Sequence, residues 1–357
     1  MEKDIQQLLD LRSSSLGYSR WGHTPLKRPL TFEFYKNWIH SNHHGDMDYL
    51  EKHAPIKENP EIHFKPLKSV LSFSFPYSSI PSHSNTIHPF KQLRISLYAQ
   101  GYDYHLQIKF QLENLCLELK EIFPDEIFQI AIDSSPLMER DYGKQSGQGW
   151  FGKNTCLIDR KSGSLFFLAE ILTTLEFSSR IEISPDFCGT CNQCIEICPT
   201  KAITNAHHLE ATKCISYLTI ESKSLPTLNL RKQIGDWFFG CDLCQTICPW
   251  NKKILKTTSA NFTDLNSTLK SLNPLEESEL IEDLRFILTS SNKKLQKILS
   301  LSPLLRARAT GLKRNAILVS ANRKIRILSP EIKPYLKHSK LGELAEWALL
   351  ELSTPEV

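Results

Sequence analysis

The spacing of apolar and polar residues predicts a mixed N-terminal half and a helical C-terminal half. Apolar residues at helical spacing predict three helices, at residues 2–16, at 31–41, and from Pro89 to about Ile122 with a break or bend at Gly101. Alternation with period two, or short apolar runs, predicts four strands, at residues 69–75, 126–133, 155–158 and 165–174. The second strand is expected to be buried, and a turn at 161–163 should join the last two.

These elements predict three units, and the fold class is α+β multidomain. Strands mixed with long helices indicate an α/β or α+β domain over residues 1–178. Residues 179–255 show little periodicity outside cysteine-rich loops. From about residue 260 the pattern is helical, so residues 256–357 form the third unit. Its segments 310–319 and 344–350 resemble packing faces of stacked helix pairs, which is typical of a HEAT-like repeat.

Eight of the ten cysteines fall into two iron–sulfur patterns. The first pattern is Cys188-x-x-Cys191-x-x-Cys194-x-x-x-Cys198-Pro199, and the second is Cys241-x-x-Cys244-x-x-x-Cys248-Pro249 with Cys214 upstream. In two-cluster proteins the fourth cysteine of each run binds the other cluster. We therefore expect two 4Fe–4S clusters with crossed ligation. The ligand sets are Cys188, Cys191, Cys194 and Cys248 for the first cluster, and Cys198, Cys214, Cys241 and Cys244 for the second.

Zinc and disulfides are the competing interpretations of these cysteines. Paired cysteines also hold structural zinc, but zinc sites have no use for a repeated Cys-Pro ending. The N-terminus shows no basic segment followed by an apolar one, so a secretory signal is not expected and a cytoplasmic location is. A reducing cytoplasm disfavours disulfides. No apolar run approaches the length of a membrane helix.

Charge is unevenly distributed along the chain. Residues 291–340 contain 13 Lys or Arg and a single acid, Glu331, so this segment carries +12 while the remainder carries −8 of the total of +4. A basic segment on an acidic body is typical of a protein that binds a polyanion, whereas a solvated helical face is the simpler alternative. Because the basic residues alternate with a regular apolar pattern, nucleic-acid binding is favoured.

Asp133 is the candidate catalytic residue. It follows the apolar run Ile130-Ala131-Ile132, and open-sheet enzymes place ligand-facing acids at strand ends. Apolar neighbours should favour its protonated form, which would make it a proton donor near pH 7. The alternative is an aspartate that caps the turn Asp-Ser-Ser-Pro. A glycine-rich loop at residues 147–155 is a weaker candidate for ligand contact, and the scattered histidines lack metal-ligand spacing.

Several segments together resemble the epoxyqueuosine reductases, cobalamin-dependent iron–sulfur enzymes of the last step of queuosine synthesis in tRNA. The matching segments are Tyr98-Ala99-x-Gly101-x-Asp103-Tyr104-His105, Ala131-x-Asp133-Ser134-x-Pro136-x-x-Glu139-Arg140, Gly149-Trp150-x-Gly152-Lys153-Asn154-Thr155, Cys214-Ile215-Ser216-Tyr217-Leu218 and the cysteine runs. The resemblance covers nearly the whole chain. The chain departs from the family pattern at Lys57, Lys213 and Ala309, where arginine is common in the family.

The resemblance implies an activity, its cofactors and its partners. Epoxyqueuosine at the wobble position of tRNA would be reduced to queuosine, with Asp133 as proton donor and cobalamin bound in a domain similar to that of reductive dehalogenases. The implied cobalamin contacts are Lys57, Tyr98, Asp133, Lys153, Asn154, Thr155, Ile158 and Ser216. The implied contacts to the anticodon stem-loop are Arg306, Arg308, Lys313 and Arg314. An external donor such as ferredoxin or flavodoxin would supply electrons, no membrane would be involved, and the protein is expected to be a monomer.

Two other functions remain open at this point. A reductive dehalogenase would share cobalamin and both clusters, but it would not need the basic helical C-terminus. An iron–sulfur electron carrier without enzymatic activity would not need so large an N-terminal domain.

Overall fold

The computed structural model describes residues 2–79, 90–178, 182–258 and 271–354. Pro89, the predicted boundary at residue 179 and the predicted helical start at residue 260 lie outside these ranges. The N-terminal part contains α1 (Glu2–Leu16), β1 (Arg20–Pro25), α2 (Phe32–His40), α3 (Asp48–Glu58), α4 (Pro60–His63), β2 (Ser69–Pro76), β3 (Arg94–Ile95), α5 (Tyr104–Ile122), β4 (Phe128–Ile132), α6 (Glu139–Gln145), β5 (Trp150–Phe151), β6 (Leu157–Ile158) and β7 (Phe166–Thr173).

A four-stranded antiparallel sheet in the order β1-β2-β7-β4 forms the centre of this part. Helices α1 and α5 cover one face of the sheet. Their buried residues Ile5, Leu9, Ile108, Leu112, Leu115 and Leu119 pack with Leu71, Phe73 and Ile171. Helix α6 covers the other face, where Tyr142 packs with Val70 and Leu172. Each such aliphatic side chain contributes about 1.5–3 kcal/mol when removed from water.

Helix α5 begins and ends where its sequence dictates. Asp103 is the N-cap, and its side chain accepts a hydrogen bond from the backbone N–H of His105 at 3.0 Å. The helix ends before Pro124, which restricts the preceding residue to extended conformations. The cap therefore fixes the position of Tyr104 and His105 in the first turn of the helix.

The second part holds the cysteines on loops between short elements. These are α7 (Gln193–Glu196), β8 (Ile203–Asn205), β9 (His208–Leu209), α8 (Ile215–Ile220), α9 (Leu228–Gln233), β10 (Trp237–Phe239), α10 (Leu243–Thr246) and α11 (Lys252–Thr258). The C-terminal part is helical throughout residues 271–354, with α12 (Pro274–Thr289), α13 (Asn292–Ile298), α14 (Arg308–Asn322), α15 (Ser329–Ile332) and α16 (Gly342–Ser353).

The second and third parts share one hydrophobic core. Phe238 and Leu218 belong to the same buried cluster as Leu312 and Ala316 of α14. The amide of Asn315, fully buried, donates to the carbonyls of Thr219 and Phe238 at 2.7 and 2.8 Å. The predicted boundaries at 178/179 and 255/256 remain predictions, but the packing ties α14 closely to the cysteine-bearing part.

Most predicted elements are present, with differences that have physical causes. Helices α1 and α2 and strands β2, β4 and β7 confirm the predictions. Residues 90–103 form no α-helix, because Arg94–Ile95 pairs in parallel with β10 and only Leu97–Ala99 forms a short 3-10 helix. Strand β4 is an edge strand, so that only its last two residues are buried. Strand β6 pairs with β5 rather than with β7. Within the described ranges, none of the helices has the length and apolar character needed to cross a bilayer.

Candidate active site and cluster-binding loops

Asp133 lies directly after β4 and faces the first turn of α5. Its backbone φ is +35°, a conformation that aspartate tolerates better than most residues and that is often found at functional sites. The hydroxyl of Tyr104 donates to Asp133 Oδ2 at 2.7 Å, and Nε2 of His105 lies 3.2 Å from the same oxygen. Nδ1 of His105 lies 2.7 Å from Oδ1 of Asp103. His105 thus bridges two carboxylates.

The electrostatics of this group place its proton on the histidine. Burial lowers the pKa of His105, but hydrogen bonds to Asp103 and Asp133 outweigh burial and raise the pKa to about 9. Desolvation raises the pKa of Asp133. Hydrogen bonds from His105 and Tyr104 have the larger, opposite effect, so that the pKa lies below its ordinary value. At neutral pH the site therefore holds an imidazolium between two carboxylates.

This result corrects the expected protonation of Asp133. The sequence placed Asp133 after apolar residues and predicted a neutral carboxyl. In the structure its side chain is 63% exposed and accepts two hydrogen bonds. The apolar residues Ala131 and Ile132 face the core, whereas the carboxylate faces α5. Hydrogen bonding to the charged form decides the outcome.

Tyrosines and one arginine surround Asp133. The Tyr98 ring packs edge-on against Tyr104 at 6.3 Å between ring centroids, and Tyr104 stacks on Phe167 at 4.0 Å. Arg306, from the C-terminal part, pairs with Glu221 at 2.7 Å and lies over the Tyr49 ring. The Arg306 charge helps to lower the pKa of Asp133. The basic C-terminal part therefore contributes one cation to this site.

The glycine-rich loop connects this region with the cysteine loops. Lys153 donates to the side chain of Asn192 at 3.0 Å, between Cys191 and Cys194 in sequence. The amide of Asn154 donates to the carbonyl of Cys244 at 3.2 Å. Thr155 has a φ of +67°, and its carbonyl accepts a hydrogen bond from Arg140 of α6. One loop thus contacts both cysteine runs and the helix that follows Asp133.

The thiols occupy two groups that match the expected crossed ligand sets. Burial and the charges of Cys188, Cys248 and Cys191 raise the pKa of Cys194 to about 11. Burial and the charges of neighbouring thiols also raise the pKa of Cys244 well above its ordinary value; these neighbours are Cys156, Cys241, Cys214 and Cys198. Cys248 thus lies with the first run, whereas Cys198 and Cys214 lie with the second. The individual ligand assignments stay predictions that this grouping favours.

Three of the residues expected to contact cobalamin lie inside the protein. Ile158 is 1% exposed and packs with Trp150 and Cys248. Lys57 is 8% exposed, and its ammonium donates to the carbonyl of Leu137. Asn154 is also buried, with its amide bonded to Cys244 as described above. Protein atoms cover these three side chains in this structure, and their contacts with cobalamin stay predictions. Tyr98, Asp133, Lys153, Thr155 and Ser216 remain at least partly exposed.

The four basic residues expected to contact tRNA differ in exposure. Arg306 and Arg308 are exposed, and Lys313 is half-buried over the Tyr335 ring. Arg314 is 4% exposed, and its guanidinium donates to the carbonyl of Ser222 and to Asn315 Oδ1. The donors of Arg314 therefore face the protein interior, which disfavours the predicted phosphate contact, and that contact stays a prediction. Further exposed lysines lie nearby, namely Lys293, Lys297, Lys333, Lys337 and Lys340.

Two residues of the site were missed as functional candidates. Tyr104 and His105 fall in one of the segments that resemble the family, but the sequence predicts no role for them. The signal available was the sequence Asp103-Tyr104-His105 at a helix start, where a cap orients the first turn. Their contact with Asp133 spans 28 and 29 residues, and no local pattern indicates it.

The acid–base group and the two groups of thiols are what an iron–sulfur oxidoreductase requires, and comparisons with known proteins identify that class. Residues 187–251 match the 4Fe-4S double cluster binding domain, which decides against the zinc alternative. Residues 57–134 match the family described as Epoxyqueuosine reductase QueG, DUF1730. The protein is therefore an oxidoreductase with two 4Fe–4S clusters.

Relatives identify the family, and a solved structure shares the fold. An epoxyqueuosine reductase of Cellulophaga algicola is 34% identical over 284 residues, which cover 78% of this chain and 86% of the relative. That of Cyclobacterium marinum is 39% identical over 217 residues, 61% of this chain and 69% of the relative. A crystal structure of epoxyqueuosine reductase with an epoxyqueuosine-modified tRNA-Tyr stem loop has a TM-score of 0.80 at 24% identity, covering 99% of this chain and 91% of the other. The chain belongs to the epoxyqueuosine reductase family.

Proposed function

We propose that this protein reduces epoxyqueuosine to queuosine at the wobble position of tRNA, with release of water. The observation that carries the proposal is the open Asp133 carboxylate, hydrogen-bonded to a protonated His105. The loop 147–155, which contacts both cysteine runs, also contacts the helix that follows Asp133. A proton source and an electron path would then meet at one site. Removal of an epoxide oxygen as water requires both.

The residues of the site hold and deliver the first proton. As negative charge develops on the epoxide oxygen, the proton shared by His105 Nε2 and Asp133 Oδ2 moves to that oxygen through the carboxyl group. Asp103 keeps the imidazole oriented through its 2.7 Å contact with Nδ1. Tyr104 holds the carboxylate from the other side. Asp133 remains the group that reaches substrate, and His105 supplies its proton.

Cobalamin is the cofactor that the family resemblance implies, in a domain similar to that of reductive dehalogenases. The partly exposed polar groups of Tyr98, Lys153, Thr155 and Ser216 would fit a large, amide-rich ligand. When bound, cobalamin supplies a strongly reducing metal centre that no side chain offers. Asn154 would keep the loop next to Cys244, so that the distance between the cofactor site and the second cluster stays constant.

The basic C-terminal helices would bind the anticodon stem-loop, in HEAT-like repeats of short helices. Arg308 and Lys313 offer charges to phosphates, while Arg306 reaches the pocket next to Asp133. Chemistry on a base requires the base to leave its stack, which is easy in a single-stranded loop. We further propose a monomer in the cytoplasm, where tRNA is found, with an external one-electron donor such as ferredoxin or flavodoxin.

The direct test is conversion of the modified nucleoside. Anaerobically purified protein would be incubated with epoxyqueuosine-containing tRNA and a strong reductant, with and without cobalamin, and the digested nucleosides would be identified by mass spectrometry. We expect queuosine only when cobalamin is present. Unchanged epoxyqueuosine from protein shown to hold both clusters and cobalamin would contradict the proposal.

Asp133→Asn tests the assigned role of the carboxylate. This variant should bind cobalamin and tRNA normally but lose most turnover, because general acid–base groups contribute about 10²–10⁴-fold. Asp125→Asn, at an exposed position before the same strand, is the matched control and should keep full activity. Turnover at the wild-type level in Asp133→Asn would exclude this role for Asp133.

A further inference from the structure

A second group of ionisable side chains lies on the sheet face covered by α6, and the charge of Asp133 acts on it. Glu170 is fully buried in β7, where it pairs in register with Ser72 of β2 and with Ala131 of β4, two residues before Asp133. Glu139 begins α6, six residues after Asp133. The buried ammonium of Lys57 donates to the carbonyl of Leu137, between Asp133 and Glu139 in the chain.

Both glutamates have a buried oxygen without a partner. Among the described residues, Glu139 Oε1 and Glu170 Oε2 are inaccessible to solvent and make no hydrogen bond. The other oxygen of Glu170 lies 3.4 Å from the Ser72 hydroxyl. Buried carboxylate oxygens are rarely left unpaired, because an uncompensated buried charge is costly. A proton on one glutamate would remove a negative charge and would create the missing donor.

The charges around the pair support the same conclusion. The groups that act on the two glutamates are Lys57, Arg140 and Asp133. Arg140 is exposed, and its guanidinium also donates to the carbonyl of Thr155. Lys57 is the buried cation, and one ammonium balances one carboxylate. Burial raises the pKa of Glu139 to about 7 against the attraction of Lys57, and burial together with the charge of Glu139 raises the pKa of Glu170 well above its ordinary value.

We propose that Glu139 and Glu170 share one proton at neutral pH and that this pair supplies the second proton of the reaction through Asp133. The inference rests on the proposed function, which consumes two electrons and two protons for each epoxide. The first proton converts the epoxide oxygen into a hydroxyl group as one C–O bond breaks. The second proton is added to that hydroxyl as the other C–O bond breaks, so that the oxygen leaves as water and a C=C bond forms. The external donor supplies both electrons.

The shared proton can be tested before any turnover. Infrared difference spectra of the purified full-length protein, without cobalamin or tRNA, report the C=O stretch of a protonated carboxyl. We expect this band in the wild type at neutral pH and its loss in both Glu139→Gln and Glu170→Gln, because the remaining carboxylate then pairs with Lys57. Retention of the band in either variant would assign the proton to a single residue and overturn the sharing.

Turnover tests the supply of the proton. With saturating cobalamin and reductant, single-turnover queuosine formation in Glu170→Gln should fall about tenfold or more. The alkaline limb of its pH profile should move to lower pH, because Glu139 beside Lys57 alone gives up its proton more readily. Glu176→Gln, with an exposed side chain just beyond the same strand, is the control and should match the wild type. Normal rates with an unmoved pH profile in both Gln variants would refute the supply role.

The two proposals fail in distinguishable ways. If wild-type protein formed no queuosine at all, the proposed function would be wrong, while the infrared measurement would still decide whether the two glutamates share a proton. Gln has the shape of Glu, and Glu170→Gln keeps an oxygen for the Ser72 hydroxyl. Matching circular dichroism and iron content of the variants would confirm that the fold is intact.

Discussion

Replacing Asp133 by asparagine should weaken the hold of His105 on its proton. The variant removes the negative charge next to Nε2 but leaves Asp103 in contact with Nδ1. The pKa of His105 should therefore move from about 9 back toward its ordinary value without reaching it. The same exchange tests the central electrostatic claim about the site, namely that the proton lies on the histidine.

The size of the effect follows from the geometry. A pKa raised from 6.5 to about 9 would correspond to about 3 kcal/mol in favour of the imidazolium. The His105 side chain is 37% exposed, so solvent screening reduces this figure to about 1–2 kcal/mol. Asp103 makes the shorter contact with His105, 2.7 Å against 3.2 Å for Asp133. Asp133 thus accounts for less than half of this free energy. Its loss should cost about 0.5–1 kcal/mol, a two- to fivefold decrease in proton affinity.

The direction of the pKa shift of His105 decides how the free energy of unfolding depends on pH. Folding raises the pKa of His105, so the stability gained from the imidazolium is complete below the unfolded-state value of 6.5 and is lost as the pH rises through about 9. The free energy of unfolding of the wild type and of Asp133→Asn should thus differ most at mildly acidic pH and converge at alkaline pH.

An NMR titration of ¹³C-histidine-labelled protein would measure the pKa directly. The His105 resonance is the one absent from His105→Gln. Asp103→Asn should lower the pKa more than Asp133→Asn, and Asp125→Asn should leave it unchanged. An identical His105 titration in the wild type and Asp133→Asn would refute the reasoning, because it would mean that the carboxylate does not act on the imidazole.

Three further predictions concern other parts of the molecule. Arg308→Glu should weaken tRNA binding and reduce the dependence of log Kd on log salt concentration by about 1, as measured by fluorescence titration at several salt concentrations. Asn315→Leu should lower the free energy of unfolding by about 2–4 kcal/mol, because the buried carbonyls of Thr219 and Phe238 lose their donor; urea unfolding would measure it. Cys214→Ser should leave the first cluster intact but lose the second, so that iron content falls by about half relative to the two-cluster protein.

The sequence pointed to Asp133 as the candidate carboxylate but not to its partners. A strand-end position for Asp133 could be read from the apolar run before it, since open sheets place functional acids there. His105 and Tyr104 reach Asp133 only because α5 packs against the sheet with its capped end beside β4. That contact depends on tertiary packing. The local pattern gave the wrong protonation state for the same reason.

The basic segment shows a different limit of sequence reasoning. Its charge count treats every arginine of α14 as available to a polyanion. In the structure α14 is covered on most sides, with all residues from Arg314 to Ala321 buried, because it packs both against its helical neighbours and against β10. Arg314 therefore acts as a hydrogen-bond donor to the cysteine-bearing part. Periodicity could show that α14 is amphipathic, but it could not show that a second domain covers its polar side.

The proposed reaction needs two protons on the same substrate oxygen, and the groups around Asp133 indicate how both could arrive. Asp133 is a carboxylate that faces solvent, and such a group does not keep a proton of its own at pH 7. It must be reloaded for each transfer. His105 contacts it and carries a proton held by two carboxylates. The proposed second source is the pair Glu139 and Glu170, on which the charge of Asp133 acts. A single carboxylate between two proton sources of different burial can deliver both protons to the same substrate oxygen without moving the substrate. The positive φ of Asp133 turns its side chain away from the path of β4, and the carboxylate contacts Tyr104 and His105.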